Sequence, residues 1–485
     1  MASQSLASIL EDMEIDDIVG PPVYSLDSDV LAAVFTFNAD IFADDEDALK
    51  ITRLSSQVCR YWRRITLNSP CLWGMLLDFD KTPHYSNLWR EEILRRSGDS
   101  LLTIKGLRSF FWHPNGVPLQ FLFTLLTDHW IRIEKIALRT SLNVDAATWK
   151  NIFRPAPHLR SFYLGFEGIR GDGYDELFAQ PLFDTNAPLL HHFDLQGINF
   201  NTAAVRPWIS QVRSLHLGWP LSPSALFRIL QMTTRLELLH YFDGNRQNTN
   251  QVMPMPQIAL MSLKRIELIV DLINCLTFLT YVTVPRNCSL EFCSTTLDVD
   301  DLAPNAPGFK PLVARLAQHA HQLFSCHPPF AIKVEFLADA TFQDSWNDAR
   351  SLNRKFRFRI PMFSNKVDNI SFILDKFSFS SPCFDSVRNL YFIAPIAAEV
   401  NLEILHFFAL FPAVELLYTD GTTLEVIMSN GGQEEPLHIF PSLKILKIDT
   451  KNLYRKPEEE LPSVVEYMRF RKRNGYPDIM LDLVL

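Results

Sequence analysis

No Cys-x-x-Cys pair occurs among the seven cysteines, which are scattered as Cys59, Cys71, Cys275, Cys288, Cys293, Cys326 and Cys383. An odd, dispersed set excludes a disulfide framework and fits free thiols in a reducing compartment. Positive charge is also short, and the chain carries a net −9. That balance argues against broad nucleic-acid or anionic-membrane binding, both of which need a basic footprint. The acidic opening (Glu11, Asp12, Glu14, Asp16, Asp17) lacks the basic-then-apolar order of a secretory signal. The most apolar run, 266–284, is interrupted by Glu267, Asp271 and Asn274, so it reads as a buried strand and helix rather than a membrane span. The expected location is cytoplasmic, nuclear or both.

Signatures of catalysis are missing as well. Gly171-Asp172-Gly173 and Gly431-Gly432 lack the residues that make a phosphate loop or a dinucleotide fingerprint. No Gly-x-Ser-x-Gly or His-Glu-x-x-His is found. His319 and His321, followed by Cys326-His327, have no established ligand spacing, and two histidines two apart on a helix face different ways. His191-His192 reads as structural or surface-exposed. Glu458-Glu459-Glu460 and Arg471-Lys472-Arg473 read as solvated faces. The expectation is a protein that is not an enzyme, with no cofactor and no metal.

What is present is a large apolar share, 47% of 485 residues, against 21% charged. Those are globular proportions. Residues 1–24 form an acidic leader expected to be disordered. In Leu26-Asp27-Ser28-Asp29-Val30-Leu31, Ser25 or Asp27 can cap a helix start, and Val30, Leu31, Val34 and Phe35 share one helical face. After the acidic stretch 44–47, Ile51, Leu54, Val58, Trp62 and Ile65 recur at the period of one buried helical stripe, with a break expected near Ser55-Ser56. Asn68-Ser69-Pro70 stops the helix before Leu72-Trp73. A compact helical module spanning 25–77 either caps a larger domain or docks on a partner.

Beyond residue 100 the pattern apolar-x-x-apolar-x-apolar recurs. It starts at Ile133, Leu159, Leu190, Val212, Leu236 and Leu263, and again at Val367, Val387, Val414 and Leu443. The first six starts lie 26, 31, 22, 24 and 27 residues apart. This is close to the roughly 20–29-residue period of leucine-rich repeats. Prolines precede several strands (Pro157, Pro188, Pro412, Pro441), and helices are expected at 146–153, from Ser222-Pro223 and at 401–410. The region 270–366 is irregular. Strands are expected at 289–292 and 332–336 with a helix at 311–324, and divergent repeats, an insertion or a break would each fit. A helix and strand at 461–484 cap the array. The fold class is therefore α/β: a small N-terminal helical module at 25–77, a linker at 78–128 packing on the array, and an irregular repeat solenoid over 129–485. The last variable position of each repeat points away from the core. It gives a candidate target-binding row of Tyr163, Asp194, His216, His240, Glu267, Tyr391, Thr419 and Lys447.

The N-terminal segment resembles an F-box, most closely those of the expanded F-box families of mushroom-forming fungi. The carriers are Leu26 to Phe35, then Leu54-Ser55-Ser56-Gln57-Val58-Cys59-Arg60-Tyr61-Trp62-Arg63, then Ser69-Pro70-Cys71-Leu72-Trp73, with Trp89 and Leu94 to Gly98 further on. Asp27 stands where the pattern has proline. The resemblance implies docking on the Skp-type adaptor of a cullin-RING ubiquitin ligase through residues drawn from Leu26, Val30, Leu31, Val34, Val58 and Trp62, while the leucine-rich-repeat-like array binds a protein target. A plain repeat scaffold with no ligase role is the alternative.

Overall fold

The protein is described by a computed structural model over residues 26–43, 47–81, 87–108, 117–141, 146–167, 174–218, 221–243, 254–295, 308–345, 355–362, 366–378, 382–394, 401–429, 439–449 and 457–484. The leader at 1–24, Ser25, the acidic residues 44–46, Gly171 to Gly173 and Gly431-Gly432 lie outside the described residues. The chain divides into two compact units, residues 1–151 with 167–169, and residues 152–166 with 170–485.

Among the described residues the first unit begins with the helices α1 (Ser28–Asn38), α2 (Ala48–Val58), α3 (Arg60–Leu67) and α4 (Pro70–Gly74). It continues through β1 (Leu77–Asp78), α5 (Asn87–Ser97), β2 (Leu102–Gly106), α6 (Val117–Asp128) and β3 (Ile133–Ser141). Asp27 caps α1 by accepting from the Asp29 amide, and Asp47 caps α2 through the Lys50 amide. The break between α2 and α3 falls at Cys59, not at Ser55-Ser56. Cys59 is extended, at φ −156° and ψ 169°, and its sulfur accepts from the Trp62 amide to start the next helix. β1, β2 and β3 pair in parallel, Leu77 beside Ile104 and Ile104 beside Ile136.

The second unit alternates strands and helices. β4 (Ser161–Glu167), α7 (Tyr174–Phe178), β5 (His192–Gln196), α8 (Arg206–Ile209), β6 (Ser214–Leu217), α9 (Pro223–Leu230), β7 (Leu238–Phe242), β8 (Ile258–Ala259), β9 (Arg265–Val270), α10 (Leu272–Tyr281), β10 (Val282–Thr283) and β11 (Ser289–Ser294) follow in order. Then come α11 (Phe309–Cys326), β12 (Ala331–Phe336), β13 (Asp339–Asp344), β14 (Phe356–Pro361), α12 (Lys366–Phe377), β15 (Asn389–Ile393), α13 (Asn401–Phe408), β16 (Leu416–Thr419), α14 (Gly421–Ser429), β17 (Ile445–Asp449), α15 (Pro457–Arg473) and β18 (Met480–Val484). The strand order is β4-β5-β6-β7-β9-β11-β14-β13-β12-β15-β16-β17-β18, while β8 and β10 form a separate pair. Among the described residues all pairs are parallel except β12–β13 and β13–β14, so the irregular middle holds an antiparallel insertion.

Strand side chains alternate between buried and part-exposed, as in β9 (Ile266, Leu268 and Val270 buried). One sheet face is core and the other is open. The α/β repeat architecture expected for this region holds. One expected strand does not: the run starting at Val367 lies in α12, with Asn369, Ile370, Ile373 and Leu374 buried at helical spacing. A three-position repeat of apolar groups fits both periods when the run is short. The stretch 146–153, expected as a helix, is a 3₁₀ helix. No helix among the described residues is long and apolar enough to cross a membrane.

Candidate functional site

Two surfaces carry the sequence-predicted residues. On α1 the structure splits the face expected for Val30, Leu31, Val34 and Phe35. Leu31 (1% exposed) and Phe35 are core, and the Phe35 ring meets Trp62 edge-on with centroids 5.0 Å apart. Val30 and Val34 are 48% and 45% exposed, and Phe37 is 83% exposed. Positions 30, 34 and 37 lie within one narrow sector at 100° per residue, and Leu26 precedes them by four. Leu31 therefore contributes no surface, and Phe37 joins the stripe. Its signal in the sequence was its place seven residues after Val30.

The stripe expected over Ile51 to Ile65 is also corrected. Ala48, Leu49 and Thr52 are the buried residues of α2, while Leu54 and Val58 are exposed. The redirection at Cys59 means Trp62 does not continue their face. Trp62 is half-buried. Tyr61 reaches the Leu26 carbonyl at 3.5 Å, which sets the start of α1 beside the α2–α3 junction that carries Val58. Leu26, Val30, Val34, Phe37, Leu54 and Val58 are thus uncovered apolar groups on one helical module. Below them Trp73 is buried, donates to the Thr66 carbonyl at 2.9 Å and is covered by the Arg96 guanidinium at 4.5 Å. Arg53 lies over Trp89 at 4.8 Å.

On the open face of the second unit, the strand register sets Tyr163, Asp194, His216, His240 and Glu267 side by side. The row continues through Glu291, Arg357, Gln343, Lys333, Tyr391, Tyr418, Lys447 and Asp482. Thr419 is not in it: it is fully buried, opposite Ile448, and Tyr418 takes the outward place. The four residues from Glu291 to Lys333 were not placed in the row: the strands at 289–292 and 332–336 were expected, but without the repeat pattern their register was not legible.

The row is electrostatically paired along its length. Asp194 accepts from Gln196 at 2.9 Å and lies 3.1 Å from His216 Nδ1. The His216 and His240 rings meet at 5.2 Å, and burial, then His216, hold His240 below the ordinary imidazole range. Arg265 contacts Glu267 at 2.6 Å and Glu291 at 3.5 Å, and Arg357 meets Glu291 at 3.0 Å. Further along, Lys333 lies 4.5 Å over Tyr391, which stacks on Tyr418 at 4.5 Å and donates to Glu335 at 3.1 Å. Tyr391 is consequently buried by its neighbours. Lys447 pairs with Asp482 at 2.8 Å.

The histidines of α11 separate as helical geometry requires. His319 is buried against the Cys288 carbonyl at 2.9 Å, and His321 Nδ1 lies 3.9 Å from Cys383 Sγ. Of the run read as solvated, Arg471 is instead buried. It donates to the Phe440 carbonyl at 3.2 Å and lies 4.8 Å over Tyr476. His192 is exposed at the start of β5. Among the described residues no group of three or more His, Cys, Asp or Glu side chains could hold a metal ion.

No protein-family model matches the sequence, and no curated protein matches it. Among solved structures, a chain from the crystal structure of the Rad7 and Elc1 complex in yeast is similar, at 12% identity and a TM-score of 0.31, covering 86% of this chain and 97% of that chain.

Proposed function

We propose that this chain is a non-catalytic substrate receptor. Its N-terminal helices dock on a Skp-type adaptor of a cullin-RING ubiquitin ligase, and the open sheet face holds a protein target. The observation that carries the reading is α1, a helix apolar on both sides: Leu31 and Phe35 supply its own core, and Leu26, Val30, Val34 and Phe37 remain uncovered. A helix apolar all round is a buried helix, so the outer stripe calls for a partner. Covering each such side chain is worth on the order of 1.5–3 kcal/mol of transfer free energy. The F-box resemblance at Leu54 to Arg63 and Ser69 to Trp73 supplies the identity of that partner. The mechanism is proximity: the receptor raises the local concentration of a target near other subunits and makes no bond itself.

The test is binding of the full chain to a purified Skp-type adaptor. Stoichiometric complex formation is expected, lost in Val34→Glu combined with Phe37→Glu while the melting temperature holds. Trp62→Ala, by contrast, removes the partner of the Phe35 ring and should lower stability by about 3 kcal/mol. A folded chain that ignores the adaptor would sink the proposal in favour of a repeat scaffold with a helical cap.

A further inference from the structure

In a parallel sheet all strands begin at one edge. Along the first half of the second unit that edge is unlike the rest of the chain. In the five positions before each of β4, β5, β6, β7, β9 and β11 the cations are Arg160, Arg213, Arg235, Lys264 and Arg286, and the sole acid is Glu237. The whole chain carries a net −9. Backbone bonds string the innermost positions into a row: His191 N to Arg160 O at 2.9 Å, Arg213 N to His191 O at 2.8 Å, Glu237 N to Arg213 O and Lys264 N to Glu237 O at 2.7 Å. Glu237 is shared between Lys264 at 2.5 Å and Arg213 at 3.6 Å, and the Lys264 hydrogen bond holds its carboxyl below the usual range. One carboxylate thus answers two cations. Arg235 and Arg286 are exposed and make no hydrogen bond or ion pair among the described residues.

The opposite edge has its own explanation. Asp271 caps α10, and Asn274 bridges it to Asp243 at 3.0 Å, so those acids serve a helix start. Elsewhere two arginines, Arg388 and Arg471, are tied to backbone carbonyls. Those two donate to the carbonyls of Asp385 and Phe440. On the far strands the polarity is lost. Before β12, β15, β16, β17 and β18 the same five-residue windows hold Arg388 and Lys444 against Asp385, Glu415 and Asp478.

We propose that this edge, from β4 to β11, docks an acidic segment of a partner protein, rich in Asp and Glu. Four of its five cations are arginines, whose forks pair carboxylates through two bonds. No Phe, Tyr or Trp stands in those windows to stack on bases. The surface lies wholly on second-unit residues and is independent of the adaptor reading.

The experiment is fluorescence anisotropy of a labelled oligoglutamate with the full chain at low salt. Saturable binding is expected, weakened about tenfold or more by Arg235→Glu with Arg286→Glu and by added salt, and unaffected by Lys376→Glu on α12. If the reversal pair melts early, Arg235→Gln with Arg286→Gln must still weaken binding. Absence of saturable binding, indifference to both pairs, or tighter binding of an oligouridylate of equal charge overturns the proposal.

Discussion

Thr419 and Tyr418 differ by one position and by an entire face of the sheet. Strand side chains alternate, so a register slip of one residue exchanges core for surface. The run Val414-x-x-Leu417-x-Thr419 reads outward at Tyr418, and the ring stacked on Tyr391 confirms the side on which it stands. A single residue also ties stability to pH. His319 is buried, burial holds its imidazole below the usual 6.5, and the Cys288 carbonyl partly opposes that shift. The unfolded chain takes up a proton there near 6.5, and the folded chain does so only lower. Stability contributed by neutral His319 is therefore complete above 6.5 and falls as pH drops below it. His319→Gln keeps a donor for the carbonyl and removes the titration. Its denaturation midpoint should lose less than the parent's between pH 7 and about pH 5, and equal losses would refute the assignment.

Elements differ in how much of themselves they disclose. The strands and helices with a clear period were legible: the Ser222-Pro223 start of α9 is capped through the Ala225 amide as the residues indicate, and Tyr163, Asp194, His216, His240 and Glu267, like Tyr391 and Lys447 further on, fall into one register row. What periodicity cannot tell is which of two apolar faces is covered. In α1 it found the apolar positions but not the split between Leu31 and Val34, and in α2 it took Leu54 and Val58 as buried while Ala48, Leu49 and Thr52, which it did not name, form the core. Nor could it choose between an insertion, divergent repeats and a break for 270–366, or place β13 and β14, whose antiparallel pairing departs from the repeat. That insertion is held by aromatic packing: Phe342 meets Phe377 at 4.5 Å and stacks on Phe358 at 6.1 Å, with Phe356 at 6.1 Å edge-on. Phe342→Ala should cost about 3–5 kcal/mol in chemical denaturation. A loss under about 1 kcal/mol would mean that the insertion closes up around the cavity and is not the rigid seam inferred from its packing.

At the scale of the second unit, connectivity decides how a local defect spreads. β17 pairs with β16 and β18 alone, and β5 with β4 and β6. An array in which each repeat touches its neighbours has stability close to a sum of local and nearest-neighbour contributions, so damage at one end need not unfold the other. The antiparallel seam interrupts the run of parallel repeats between the two halves. Leu446, fully buried on β17, provides the test. Leu446→Ala removes about 2–5 kcal/mol from the core beneath β16, β17 and β18. Amide hydrogen exchange should then quicken in those strands and in α14, while β5, β6 and β7 keep the parent's protection. Equal acceleration across both halves would show that the seam transmits unfolding and that the unit melts as one block. Confinement of the change would let the basic edge at β4–β11 keep its geometry when the far end is perturbed.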